Sequence, residues 1–200
     1  MATRSSSTSL ALIVSSSVLL LLLLATAPIL VVDAALQDVK ATCAKTPNPI
    51  FCTMVLSADP DIKTATTERA LAELAIKASA RLGATAGSYA RRELDLVKDN
   101  LLWQCLDECA QDIEDAVSHL DDAEGEVDDA KFNLVAQYLQ LSEQDTWSCD
   151  ESCRDTPPCP VRTAVLAKNN DFEKMMNITN ALIKVVQASA KPATALPAKP

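Results

Sequence analysis

Residues 105–109 read Cys-Leu-Asp-Glu-Cys, and residues 149–153 read Cys-Asp-Glu-Ser-Cys. Within each stretch the two cysteines are four positions apart, so on a helix they lie on one face, one turn apart. Across two antiparallel helices, facing residues have position numbers of constant sum, and here both cross-helix pairs sum to 258. This register predicts two stacked disulfides that join Cys109 to Cys149 and Cys105 to Cys153.

The remaining cysteines lie outside these two stretches. Cys43 and Cys52 flank the segment Thr-Pro-Asn-Pro at residues 46–49, whose prolines prevent a continuous helix. We expect these two cysteines to form a third disulfide, across a turn between two short helical pieces. Cys159 is the odd one of 7 cysteines, either free or open to exchange with Cys153.

Sequence alone does not fix disulfide connectivity. The four cysteines of the two stretches could instead form a zinc site. The three-residue gaps between the cysteines disfavour zinc, as does an N-terminal apolar run at residues 10–32 that has the features of a secretory leader, so we expect no metal.

The chain has 200 residues and only 3 glycines, which disfavours β-sandwiches and phosphate-binding loops because both use glycine at tight turns. Four segments instead carry apolar residues at three- and four-residue spacing, the pattern of amphipathic helices. Short connections between them predict an all-α fold, a disulfide-pinned antiparallel four-helix bundle. The apolar stripes are Leu71, Leu74, Ala75, Ala78, Leu82 and Tyr89; Leu102, Cys105, Leu106, Cys109, Ile113, Ala116, Val117 and Leu120; Leu134, Val135, Tyr138 and Leu141; and Phe172, Met175, Met176, Thr179, Leu182, Ile183 and Val186.

The helix boundaries follow from capping and turn signals. We expect the second helix to begin with Asn100 as its N-cap and to end near Asp122, before a turn at residues 123–126. The third helix should begin at about Val127. A proline-rich loop at residues 156–160 separates it from the fourth helix.

The N-terminal region has the features of a secretory leader. An apolar run at residues 10–32 follows Arg4 and a serine-rich stretch. Cleavage after Ala34 fits the small-residue rule, whereas cleavage after Ala27 is disfavoured because a proline follows. An uncleaved signal anchor is the alternative. We therefore expect a signal peptide at residues 1–34, a helical domain at residues 35–190 with no membrane segment, and a flexible Ala/Pro-rich tail at residues 191–200.

The charge of the chain is unevenly distributed. It has 18 basic and 27 acidic residues, and the net charge of −9 disfavours nucleic-acid binding because phosphate recognition needs a basic surface. Residues 105–155 hold 16 acidic residues against only Lys131 and Arg154, a balance of −14. Such a hairpin would attract a basic partner. A solvated face that only aids solubility is the alternative.

Residues that could carry catalysis are sparse. His119 is the only histidine, and no nucleophile, phosphate-loop or metal-binding motif accompanies it. We expect it on the solvated surface. The pairs Asp121-Asp122 and Asp128-Asp129 are interpreted as a solvated acidic face. The chain is therefore predicted to be a monomeric non-enzyme without a cofactor.

One modification motif is present. Asn177-Ile178-Thr179 is the only permitted N-glycosylation triplet in the sequence. Helical periodicity turns Asn177 away from the apolar face of its helix, so we expect it to be available as an acceptor.

The residues together are similar to the plant invertase and pectin methylesterase inhibitor family over essentially the whole chain beyond the leader. Residues 43–52 resemble its N-terminal cysteine turn, and Cys109 followed by Asp115-Ala116-Val117 resembles one of its helices. Residues 144–146 and 166–170 match later segments more loosely. The resemblance implies a four-helix bundle with a short N-terminal helical hairpin extension. Cys105, Cys153 and Cys159 are additional to the four cysteines usual in that family.

The resemblance also implies a function. Members are secreted proteins that block the active-site cleft of a plant cell-wall invertase or pectin methylesterase, one molecule to one, in the apoplast or cell wall, with the vacuole as the alternative location. A non-inhibitory secreted binding module, built on paired Cys-x-x-x-Cys helices, is the alternative function.

The segment that follows the second helix resembles an inhibitory motif of the family. The invertase-inhibiting members carry Pro-Lys-Phe there, and this chain has Ala130-Lys131-Phe132 after Asp129, without the proline. A retaining glycosidase has two carboxylates at its cleavage point, so Lys131 could pair with them while Phe132 fills an apolar pocket. Residues 129–132 are therefore target-binding candidates and favour invertase. The alternatives are an ordinary exposed lysine and a methylesterase covered by a face of the bundle.

Overall fold

The computed structural model describes residues 39–190, and their regular secondary structure is entirely helical. The predicted signal peptide at residues 1–34 and the predicted tail at residues 191–200 lie outside the described residues. No helix within residues 39–190 is both long and apolar enough to cross a membrane. After a helical segment at residues 39–43, the elements are α1 (Pro49–Ser57), a 3₁₀ helix (Pro60–Lys63), α2 (Glu68–Leu94), α3 (Asn100–Asp128), α4 (Phe132–Ser152) and α5 (Pro160–Ala190).

The four long helices form the predicted disulfide-pinned bundle. Helix α3 packs against α2 and α4, and α5 completes the bundle by packing against α2 and α4. The segment at residues 39–43 and α1 form a short N-terminal hairpin, and α1 contacts α2 and α5. The all-α fold class is confirmed.

The structure contains the three disulfides expected from the sequence. Cys43 is joined to Cys52 within the N-terminal hairpin. Between α3 and α4, Cys105 is joined to Cys153 and Cys109 to Cys149, with Cα atoms 4.6 and 4.0 Å apart. These sulfurs are therefore not available as thiolate ligands for zinc. Cys159 is the only free cysteine among the described residues, and its Sγ accepts a hydrogen bond from the backbone N–H of Arg162 at 3.4 Å.

Close approach of α2 to its neighbours depends on Gly83. A Cβ atom placed on Gly83 would lie 2.7 Å from Cγ2 of Val117 on α3 and 2.9 Å from Cζ of Phe172 on α5. Phe172 is fully buried. Glycine is therefore required here by packing and not by backbone conformation.

The predicted turn at residues 123–126 is wrong. Helix α3 continues through Gly125 to Asp128, and Ala123 and Val127 extend its buried stripe. A glycine inside a helix costs about 1 kcal/mol relative to alanine, whereas burying one valine side chain contributes about 1.5–3 kcal/mol. Burial therefore outweighs the turn signal, and α4 begins at Phe132, not near Val127.

Two other local predictions are also corrected. The N-cap of α3 is Asp99, whose carboxylate accepts a hydrogen bond from the Leu102 N–H at 2.9 Å, so Asn100 is the first helical residue. On α4, Leu134 and Leu141 are 38% and 41% exposed and do not point inward. The buried face of α4 is instead formed by Val135, Leu139, Ser142, Thr146 and Cys149.

We predict that Gly83→Ala lowers the free energy of unfolding by about 1–3 kcal/mol, because the new methyl group overpacks a filled contact. Gly125→Ala is the matched control. A Cβ atom at that position meets no other atom within 4 Å, so the control should gain up to about 1 kcal/mol from helix propensity. Urea unfolding of both variants measures the difference, and equal stability of the two would contradict the packing argument.

We also predict that the two interhelical disulfides are redundant. The pair Cys109 and Cys149 closes a separation of 40 residues, which in the chain-entropy model is worth about 4 kcal/mol. Replacing both cysteines of one pair by alanine should therefore cost little of this entropic term, because the other pair closes nearly the same loop. Replacing all four cysteines should cost most of this entropic stabilisation.

Peptide mapping of the oxidised protein checks the connectivity of the disulfides. A link between Cys105 and Cys109 would contradict the antiparallel register.

Candidate functional site

The turn between α3 and α4 holds the residues that resemble an inhibitory motif. Ala130 has a left-handed backbone, with φ 56°. Its N–H donates to the carbonyl of Val127 at 3.0 Å, and the Lys131 N–H donates to the carbonyl of Glu126 at 3.1 Å. These two bonds form a Schellman motif at the end of α3. The motif normally uses glycine at this position, so Ala130 is strained by about 1 kcal/mol.

The ammonium group of Lys131 is already paired within the chain. Its Nζ lies 2.7 Å from Oδ2 of Asp129 and 2.9 Å from Oε2 of Glu126, and the side chain is 50% exposed. The hydrogen bond to Asp129, followed by the one to Glu126, raises the pKa of Lys131. The same contact lowers the pKa of Asp129. A carboxylate of another protein would therefore have to compete with these two for the ammonium.

Phe132 is anchored to the bundle. Its ring is half-buried and packs against the core, and its carbonyl accepts a hydrogen bond from Nε2 of Gln187 on α5 at 2.8 Å. Beside it, a shallow cavity of ≈ 480 Å³ lies between the turn and the end of α5. In the free protein Phe132 thus serves packing, and filling the pocket of another protein would require its ring to leave this position.

Arg69 at the start of α2 supports the turn, a role that the sequence analysis did not assign. Its guanidinium donates to the carbonyl of Val127 and lies 3.9 Å from the carboxylate of Asp128. It therefore gives a second donor to a carbonyl in the last turn of α3 that also accepts the Ala130 N–H. No sequence signal near residue 128 indicates this contact, because the partner lies 58 positions away.

The acidic residues of α3 divide into two groups. On the side facing α2, Arg91 bonds Asp107 at 2.8 Å and Glu114 at 2.7 Å, and Lys77 lies 3.3 Å from Glu124. Five other acidic side chains of α3 have no Lys or Arg partner among the described residues, and two of them, Asp112 and Asp115, lie close to Asp145 of α4. The unpaired group consists of Glu108, Asp112, Asp115, Asp121 and Asp122.

His119 lies in the groove between α3 and α4, and the expectation of a solvated histidine is corrected. Its side chain is 30% exposed, and Nε2 lies 3.6 Å from Oδ2 of Asp145. Its ring stacks on that of Tyr138, with centroids 6.4 Å apart. Contacts with Tyr138 and Asp145 of α4 cover most of the ring.

Two clusters of carboxyl groups flank α4. On the α3 side, burial raises the pKa of Asp112 to about 6, with further contributions from Asp145, Glu108 and Asp115. Burial also raises the pKa of Asp145. On the α5 side, burial raises the pKa of Glu173 to about 7, with Asp150 and Glu143 contributing. The carboxyl groups of Asp112 and Glu173 are therefore partly protonated in mildly acidic solution.

Nothing in this surface is arranged for catalysis. His119 is not adjacent to a serine or cysteine nucleophile in any motif of the sequence. Among residues 39–190, no group of three or more His, Cys, Asp or Glu side chains is placed to hold a metal ion. The arrangement consists of an acidic groove, two exposed leucines on α4 and a structured turn.

Comparison with known proteins gives one family and one fold. The sequence profile of the family described as plant invertase/pectin methylesterase inhibitor matches residues 37–182. A mutant form of a pectin methylesterase inhibitor from Arabidopsis is 16% identical, with a TM-score of 0.61 over 71% of this chain and 92% of that one. A pectin methylesterase inhibitor from Arabidopsis thaliana is 15% identical, with a TM-score of 0.55 over 74% and 95%. No curated protein matches the sequence.

The partly buried carboxyl groups of Asp112 and Glu173 predict a fall in stability as pH rises. The pKa values of Asp112 and Glu173, about 6 and about 7, exceed the unfolded-state values of about 3.9 and 4.3. The stabilisation linked to their protonation is therefore fully present below about pH 4 and is lost as pH rises through about 6 and 7.

Asp112→Asn and Glu173→Gln should flatten this pH dependence, each by about 1–2 kcal/mol because both carboxyls are partly solvated. Urea unfolding at pH 4.5 and 7.5 measures the change. Asp122→Asn, at an exposed position of α3, is the matched control and should keep the slope of the unmodified protein. An unchanged slope in the first two variants would show that these carboxyls do not control it.

Proposed function

The chain belongs to the plant invertase/pectin methylesterase inhibitor family, and we propose that its target is a pectin methylesterase, whose active-site cleft it blocks one molecule to one. The family consists of inhibitors, so the chain is not an enzyme. Two proteins with the same fold are described as pectin methylesterase inhibitors, which supports this choice of target.

The observation that carries the proposal is the unneutralised acidic surface of α3 and α4. Three acidic side chains of α3 are paired with Arg91 and Lys77 of α2, whereas Glu108, Asp112, Asp115, Asp121 and Asp122 have no Lys or Arg partner among the described residues. An unpaired row of carboxylates repels an acidic partner and accelerates association with a basic one. We therefore infer that the region around the target's cleft is basic.

Apolar side chains on α4 complete this surface. Leu134 and Leu141 are 38% and 41% exposed and lie two helical turns apart, with half-buried Tyr138 between them. Protein interfaces combine buried apolar and aromatic anchors with a polar rim. The two leucines and Tyr138 can supply the apolar contact, while the carboxylates of α3 supply the charged rim and the association rate.

An invertase is the second candidate target, and Lys131 is the observation that favours it. Its side chain is half-exposed at the tip of the α3–α4 turn. Carboxylates of a glycosidase active site could take the place of Asp129 and Glu126 around the ammonium. In that mode residues 129–132 would form the contact, with the acidic surface outside it.

The proposal also covers the location of the protein. The leader at residues 1–34 would direct residues 35–190, followed by the tail at residues 191–200, into the secretory pathway as a monomer. Disulfides are stable there. The apoplast or cell wall is the proposed destination, and the vacuole is the alternative.

Charge variants separate the two targets. If the target is a pectin methylesterase, the double variant Asp115→Asn/Asp122→Asn, which removes two negative charges, should associate roughly tenfold more slowly at low salt. The effect should be much smaller at high salt. Lys131→Ala should then have little effect. Stopped-flow association rates and methanol release at two salt concentrations measure both, with Lys184→Ala, an exposed lysine on α5, as the control.

If the target is an invertase, Lys131→Ala should weaken inhibition by about 2–5 kcal/mol, as for the loss of one partner of a buried charge pair. Release of hexose from sucrose measures this. Inhibition of invertase alone, abolished by Lys131→Ala, would overturn the methylesterase proposal. A protein that inhibits neither enzyme would instead fit the non-inhibitory binding module.

A further inference from the structure

The glycosylation triplet on α5 divides its residues between the two sides of the helix. Asn177 is exposed, whereas Ile178 and Thr179 are fully buried. Transfer of an N-linked glycan requires both the asparagine amide and the hydroxyl two residues later. The folded chain therefore presents the acceptor amide to solvent but hides the hydroxyl that must be recognised with it.

The Thr179 hydroxyl is also engaged in a contact between helices. Its Oγ1 donates to the carbonyl of Ala75 on α2 at 3.1 Å and lies 2.9 Å from Oγ of Ser79. The Ser79 hydroxyl bonds the same carbonyl at 3.0 Å. All three residues are buried, so releasing this hydroxyl requires α5 to separate from α2 and leaves buried polar groups unpaired.

We propose that Asn177 carries an N-linked glycan in the secreted protein, and that the glycan is added before α5 packs against α2. The donor is a lipid-linked oligosaccharide diphosphate. The Asn177 amide nitrogen forms a bond to the anomeric carbon of the sugar, the bond from that carbon to the diphosphate oxygen breaks, and the amide gives up one proton. No oxidant or reductant takes part. The inference rests on the secretion proposed above but not on the identity of the target enzyme.

The position of the glycan follows from the packing of α5. Its buried face contacts α2 and α4, and Asn177 is on the opposite side, with exposed Lys184 two turns further along the same side. A glycan at this place lies away from the groove between α3 and α4. It would therefore coexist with the proposed docking surface, and its removal should leave inhibition unchanged within twofold.

Expression of the full chain in plant cells tests the modification. The secreted protein should lose one glycan when treated with a peptide N-glycosidase that accepts plant glycans, which leaves aspartate in place of Asn177. Asn177→Gln should remove the glycan without affecting folding, because the side chain is exposed. Thr179→Ser should retain it. A secreted chain whose mass the glycosidase does not change, or a chain that never enters the secretory pathway, would overturn the proposal.

A second measurement tests the order of events. Disulfide-intact protein made without glycosylation and its reduced, alkylated form are each offered to solubilised microsomes with the lipid-linked oligosaccharide. We expect transfer to the unfolded form and at least tenfold less to the folded one. Equal transfer would refute the order. Loss of inhibition with a normal glycan would instead count against the proposed function, so the two failures are distinguishable.

Discussion

The two disulfides between α3 and α4 are the constraint on which the acidic surface depends. These helices contribute most of the 16 acidic residues within residues 105–155, against two basic ones. Two helices with such charge repel each other, and Asp112 and Asp115 of α3 lie beside Asp145 of α4. The two disulfides, whose Cα atoms are 4.6 and 4.0 Å apart, hold the helices together despite that repulsion. The covalent links thus permit a concentration of like charge that packing alone would oppose.

The helices adjacent to this hairpin decide which part of the charge remains available. Helix α2 supplies Arg91, Lys77 and Arg69 to the acidic residues and the terminal carbonyl of α3. Helix α4 contains no lysine or arginine at all. Asp112 and Asp115 of α3, which lie near Asp145 of α4, are consequently left without counter-charges, and burial raises the pKa of Asp112. The same asymmetry that makes this side a candidate docking surface also makes it sensitive to pH.

Much of this arrangement could be predicted from the sequence, because it depends on residue spacing. The constant sum of the cysteine positions indicates the antiparallel register of α3 and α4, and the apolar stripes indicate four helices. The end of α3 was not predictable from Gly125, since the turn signal is local whereas the burial of Val127 depends on the other helices. The contact from Arg69 to the carbonyl of Val127 joins residues 58 positions apart, and no periodicity reports it. The apolar spacing on α4 also predicted that Leu134 and Leu141 point inward. That prediction was wrong, because spacing alone does not show which side of α4 packs against the other helices.

The state of Lys131 in the free protein bears on the choice between the two targets. Two carboxylates of its own chain already neutralise the ammonium. A target therefore gains only the difference between the interaction free energy of its own carboxylates with the ammonium and that of Asp129 and Glu126. That difference becomes large when a dry active site surrounds the ammonium, because charge pairs strengthen as water is excluded. Transfer into such a site would leave Asp129 and Glu126 behind as two additional uncompensated charges beside a carboxylate-lined cleft. Phe132 would also lose its contact with the core. A methylesterase bound by the groove between α3 and α4 requires neither change, and for this reason the structure of the free protein favours docking by the bundle face over insertion of the turn.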